Sequence, residues 1–160
     1  MDTEYVLMLV ARWLHILSAT LAIGVPLYVR FVLMPALGTL DEANRSRLQE
    51  AIAKRWRMIV HILIVVFLAT GLYTFLGIAR WKTFSQEAKM QYHALFGVKF
   101  LIALAMFTIS SALAGRSGFF APIRQNPRPW LQVLILLGLL IIGISGIMRF
   151  MDPPARALLP

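Results

Sequence analysis

Apolar residues run along this chain in four long blocks, at about 5–34, 58–79, 92–114 and 130–150. Each block meets the length of roughly 20 residues that a helix needs to cross a hydrocarbon layer about 30 Å thick, at about 1.5 Å per residue. None alternates with the period of two expected of a barrel strand. The stretches between them carry loop signals: 41–57 is dense in charge, 81–90 is mixed and polar, and 115–129 holds Pro122, Pro127 and Pro129. Trp56, Trp81 and Trp130 stand beside block ends, where indole rings favour the membrane interface, and Trp13 lies inside the first block. The pattern predicts an all-α fold, a polytopic membrane four-helix bundle forming a single transmembrane domain over residues 1–160.

Composition narrows this further. Of 160 residues, 59% are hydrophobic and 14% charged, against about 25% charged in a soluble domain, and the mean hydropathy is +0.75. An ordinary cytosolic enzyme, a disordered chain and a secreted disulfide scaffold are excluded. Cysteine is absent, which removes disulfides, thiolate metal sites and a Cys nucleophile. The net charge of +9 invites a nucleic-acid reading, but the charges fall between apolar blocks rather than along one basic face. No nucleic acid is expected; the partner is membrane lipid.

Lys and Arg counts set the orientation. Arg30, Arg45, Arg47, Lys54, Arg55, Arg57, Arg116, Arg124 and Arg128 belong to one side, and Arg80, Lys82, Lys89, Arg149 and Arg156 to the other. That excess predicts a multi-pass protein of a bacterial inner membrane with both termini outside. The N-terminus lacks a charged n-region and a small-residue cleavage site, so the first span is expected to be retained.

Ionisable side chains inside hydrocarbon are costly, about 2.5–3.5 kcal/mol on insertion scales, and so are candidates for function. His15, His61 and His93 fall in three different spans, with Arg12 and Lys99 the intramembrane cations and no acidic residue in any span. A proton pump or cation channel would want carboxylates there; imidazoles with uncompensated cations suit a metal and an anionic ligand. Arg12 and His15 share a helical face that continues through Ala19 and Ala22, and Lys99 aligns with Ala103, Met106 and Ser110. Gly138, Gly143, Ser145 and Gly146 thin the fourth span.

Haem b fits this inventory: it needs one or two axial imidazoles and cations for its propionates. His15 is the leading axial ligand because it lies deepest, about 15 Å from the outer face at the helical rise. His61 or His93 completes the iron, and Arg12 and Lys99 serve the propionates or an anionic substrate. The role is redox, either electron transfer or oxidation of a membrane-associated substrate such as a porphyrinogen, which leaves the redox partner, enzymatic status and a homo-oligomer open. The alternative is a copper-binding or copper-transport protein, with or without haem. Thioethers suit Cu(I), and Met8, Met90, Met148 and Met151 fall at the expected outer ends together with His93, Met90 and His93 being one helical turn apart.

The run Arg12-Trp13-Leu14-His15-Ile16-Leu17-Ser18, the pair Arg55-Trp56-Arg57 leading to Gly71-Leu72-Tyr73, and Val98-Lys99-Phe100-Leu101 followed by Gly115-Arg116 carry a resemblance. Over its first three spans the chain resembles the four-helix membrane families that include the copper resistance protein D domain and the HemJ-type protoporphyrinogen oxidases. The resemblance implies a membrane haem-b protein with His15 as axial ligand and Lys99 as a functional cation. The chain departs from the HemJ-type pattern at Gly97, where that family carries a His two residues before the Lys, and His61 has no counterpart there.

Overall fold

A computed structural model of the chain describes residues 3–81 and 86–150, the side chains of 78–81, 88 and 150 excepted. Lys82, Met151 and Arg156 lie outside the described residues. The architecture is helical, and four helices are long and apolar enough to cross a membrane. Helix α1 runs over Thr3–Tyr28 and continues through a π-helical turn, Val29–Leu33, into a last α turn, Met34–Leu37. Helix α2 spans Glu42–Trp81, α3 Gln86–Ala114, the short α4 Ala121–Gln125 and α5 Pro127–Phe150. A 3₁₀ turn, Gly118–Phe120, leads into α4.

The π turn has a local cause. Pro35 has no N–H for the carbonyl of Phe31 and its ring crowds that group. The ladder widens just ahead of it, with the Met34 N–H reaching back five residues to the Val29 carbonyl. At the next connection, Asp41 starts α2. Its carboxylate accepts from the Asn44 N–H at 3.0 Å and the Asn44 amide at 2.6 Å. These bonds hold the Asp41 carboxyl below its ordinary titration range.

The spans differ from the sequence expectation in one respect. Residues 42–57 belong to α2 rather than to a loop. Their charges mask the helical pattern, but nothing in the stretch breaks a helix: it contains neither Pro nor Gly. At the helical rise, α2 is about 60 Å long, twice the hydrocarbon thickness, so this charged segment projects beyond the apolar span.

The helices form a ring in which α1 packs on α2 and α5, and α3 packs on α2 and α5. Lipid replaces water around such a bundle, so apolar side chains line both its inside and its outside. Leu101, Leu136, Val65 and Ile147 stand exposed, whereas Val60, Ala103, Met106, Leu134 and Ile144 form the interior. Hydroxyls within the spans bond back to their own helices: Thr20 to the Ile16 carbonyl, Thr108 to Leu104, and Ser145 to Ile141. This is how polar groups are satisfied where no water is present.

Close approach is set by glycines. A Cβ on Gly138 would lie 2.6 Å from Ile23 Cγ1, one on Gly77 2.8 Å from the Met8 methyl, and one on Gly71 2.9 Å from His15 Cε1. These contacts fix the register of α1 against α2 and α5. Gly143, by contrast, faces open space. Gly138→Ala is therefore expected to destabilise the bundle by about 1–3 kcal/mol through overpacking, while Gly143→Ala leaves stability unchanged or slightly higher; thermal unfolding of the two variants in the same detergent measures the difference.

Candidate functional site

Of the three histidines, only His15 points into the bundle. Its ring sits where Gly71 removes the side chain that would block it, 4.2 Å from the Phe67 ring centre and tilted against it. His15 Nδ1 lies 3.2 Å from both the Phe67 carbonyl and Thr70 Oγ1. Both partners accept. A carbonyl has no proton to give, and the Thr70 hydroxyl already donates to the Val66 carbonyl at 2.6 Å. Nδ1 therefore carries the proton, and in the neutral ring Nε2 keeps its lone pair.

The hydrogen bond from Nδ1 to a backbone carbonyl is the arrangement that fixes tautomer and orientation in histidines that ligate metals. Lys99 is half-buried on α3. Among the described residues the one ion pair is Arg45 with Glu42, at 3.0 Å on the projecting part of α2. Lys99 therefore has no carboxylate partner among the described residues.

One helical turn further along, a small half-enclosed apolar cleft of about 20 Å³ opens between the helices, with room for about one water. Ala19 and Ala22 of α1, Phe67 of α2, Ala103 and Met106 of α3 and Gly138 of α5 contribute to its wall. The small-residue faces expected below His15 and Lys99 do meet, together with the Gly138 surface of the fourth span. Phe107 stands edge-on to Phe67, ring centres 5.4 Å apart, and completes the aromatic side.

The other candidates stand elsewhere. Arg12 is exposed, on the outer side of α1, although it lies one turn from His15. His61 and His93 are exposed too, and each bonds by Nδ1 to its own helix, His61 to the Arg57 carbonyl and His93 to the Lys89 carbonyl, both at 2.6 Å. His93 also meets Phe75 edge-on at 5.5 Å. Among the described residues, no three His, Cys, Asp or Glu side chains gather into a metal-holding group. Met90 is 71% exposed and His93, one turn on, is exposed too, whereas Met148 is 7% exposed and Met8 is packed over Gly77.

Sequence reasoning on residue types missed Phe67 and Thr70. A Thr-Gly pair in the middle of an apolar span was the available signal, since the hydroxyl supplies an acceptor and the glycine supplies room.

Searches against protein-family models, curated proteins and solved structures found no match for this chain.

The geometry makes a direct demand on Gly71. In Gly71→Ala the new methyl meets the imidazole and pushes it from the Phe67 carbonyl. The ¹⁵N spectrum of labelled His15 should change from a single Nδ1-protonated tautomer to a mixture. Thr70→Val, which leaves the carbonyl in place, should retain most of the wild-type signal.

Proposed function

We propose that this chain is a haem-b-binding membrane protein with a redox role, in which His15 supplies the axial ligand from inside the bundle. The observation that carries the reading is the His15 hydrogen bond to the Phe67 carbonyl, which leaves Nε2 as a bare donor in an apolar interior. A desolvated imidazole with one satisfied nitrogen gains most from a ligand at the other. The unpaired Lys99 ammonium adds a partner for a carboxylate, and the resemblance to haem-binding four-helix families points the same way.

The donor set fits haem; the enclosed space does not hold it. A cleft of about 20 Å³ has room for about one water and none for a porphyrin, so the helices around His15 would have to part to admit the group. In this arrangement Phe67 and Thr70 hold the imidazole in one tautomer, Lys99 neutralises a propionate or an anionic substrate, and the apolar wall keeps water from the site. The bound group would supply one-electron redox chemistry. His61 and His93, on outer faces, are left with interfacial or packing roles in this reading.

The decisive measurement is the visible spectrum of detergent-purified protein with its iron content. His15→Ala should insert normally, since the span keeps its apolar length, yet lose the haem or shift its Soret and α bands. His61→Ala and His93→Ala should retain the wild-type spectrum. Wild-type spectrum and stoichiometry in His15→Ala would overturn the assignment.

The same reading places the protein in a bacterial inner membrane with both termini outside, from the Lys and Arg excess around 30–57 and 116–128. Reporters fused after Pro160 test it. A periplasm-dependent reporter should be active and a cytoplasm-dependent one silent, and the converse pattern reverses the orientation.

A further inference from the structure

Arginines crowd one end of the bundle, and they differ in what they bond. Arg57 donates from Nε to the Ala114 carbonyl at 3.0 Å. Arg124 donates to the Ala112 carbonyl at 3.3 Å and the Ser117 carbonyl at 2.6 Å. Both guanidinium groups are thereby used to close the C-terminal end of α3, whose last carbonyls have no partner within the helix.

Arg30 stands at about the same level. Gly71 meets His15 and Gly77 meets Met8 across the α1–α2 contact, a register that carries Arg30 to Arg55 and Trp56, next to Arg57. Across the α1–α5 contact Gly138 meets Ile23, which carries Arg30 to about Leu131, one turn from Arg128. The π turn that holds Arg30 packs on α5. No carboxylate compensates this group of cations, because the one ion pair among the described residues lies three to four turns away along α2.

Arg30, unlike Arg57 and Arg124, makes no hydrogen bond among the described residues. Its Nε is buried and has no hydrogen-bond partner, and its guanidinium carbon lies 5.5 Å from the centre of the Phe31 ring. Beside it, Phe31 is 63% exposed and Val32 52% exposed, an apolar surface where acyl chains lie.

We propose that Arg30 anchors a binding site for the headgroup of an anionic phospholipid. The phosphate takes a bidentate pair of N–H donors from the terminal Nη groups of the Arg30 guanidinium. The additional negative charge of the headgroup is balanced by Arg57 and Arg128, and the acyl chains run along Phe31 and Val32. Basic pockets between spanning helices at one membrane face are suited to such headgroups. The adjoining apolar surface favours a lipid over a free anion.

Native mass spectrometry of the full chain in detergent tests this with phosphatidylglycerol, phosphatidylcholine and inorganic phosphate as probes. Phosphatidylglycerol should be retained in preference to phosphatidylcholine. Arg30→Gln should lower its occupancy about five-fold, the effect of one basic residue at about 1 kcal/mol. Arg30→Lys, which keeps the charge but loses the fork, should fall between wild type and Arg30→Gln. Arg47→Gln removes the same charge from an exposed position on the projecting part of α2 and should have little effect. Three results would each overturn the site: equal retention of the two lipids by wild type, an Arg47→Gln loss as large as that of Arg30→Gln, or displacement of the lipid by inorganic phosphate at equal concentration. The first and third need only wild-type protein, so they hold even if an Arg30 variant misfolds. None of these readouts involves haem.

Discussion

Hydrocarbon offers a polar side chain no hydrogen bonds, and the contact between His15 and the α2 backbone is this chain's answer to that constraint. An imidazole on α1 can reach the Phe67 carbonyl only if α2 comes close, and α2 comes close because position 71 has no side chain. That single approach fixes the register of the two helices. It seats Met8 over Gly77 and brings Arg30 level with Arg55 and Trp56. The α1–α5 packing at Ile23 and Gly138 follows a similar rule, a bulky aliphatic side chain lying against a glycine. The central cleft is what remains when alanines and a glycine, rather than larger side chains, line the next turn.

Charge is arranged by the same constraint. The spans contain cations and no carboxylate, so a buried cation cannot be neutralised by pairing within the membrane. Arg57 and Arg124 take backbone carbonyls at the end of α3, where a helix has acceptors to spare. Lys99 and Arg30 have no comparable bond among the described residues, one in the interior and one at the rim. Each proposed site therefore selects an anionic group: a carboxylate at Lys99 and a phosphate at Arg30.

Much of this was legible in the sequence, and the remainder failed for identifiable reasons. Apolar run length located all four spans, because hydrocarbon thickness is a one-dimensional constraint. Helical spacing placed Ala19, Ala22, Ala103 and Met106 on faces that do meet around one cleft. Spacing alone says which residues share a face, not whether that face looks inward. Arg12 and His15 are a turn apart, yet the imidazole is half-buried and the guanidinium exposed. Absolute rotation depends on the glycine contacts, which are pairwise and have no periodic signature. The helical continuation through 42–57 was hidden for another reason: outside the hydrocarbon a helix has no need of apolar residues, so hydropathy is silent about it.

The placements of His15, Arg12 and Lys99 constrain the proposed cofactor more tightly than their number does. Lys99 and His15 are half-buried, while Arg12, one turn from His15, is exposed. Of the two intramembrane cations, the proposed group at His15 could therefore draw on Lys99, whereas Arg12 lies on the outer side of α1. The cleft has room for about one water and admits no porphyrin. A haem enclosed by the four helices would require wider interhelical spacing than the glycine contacts at positions 71, 77 and 138 leave.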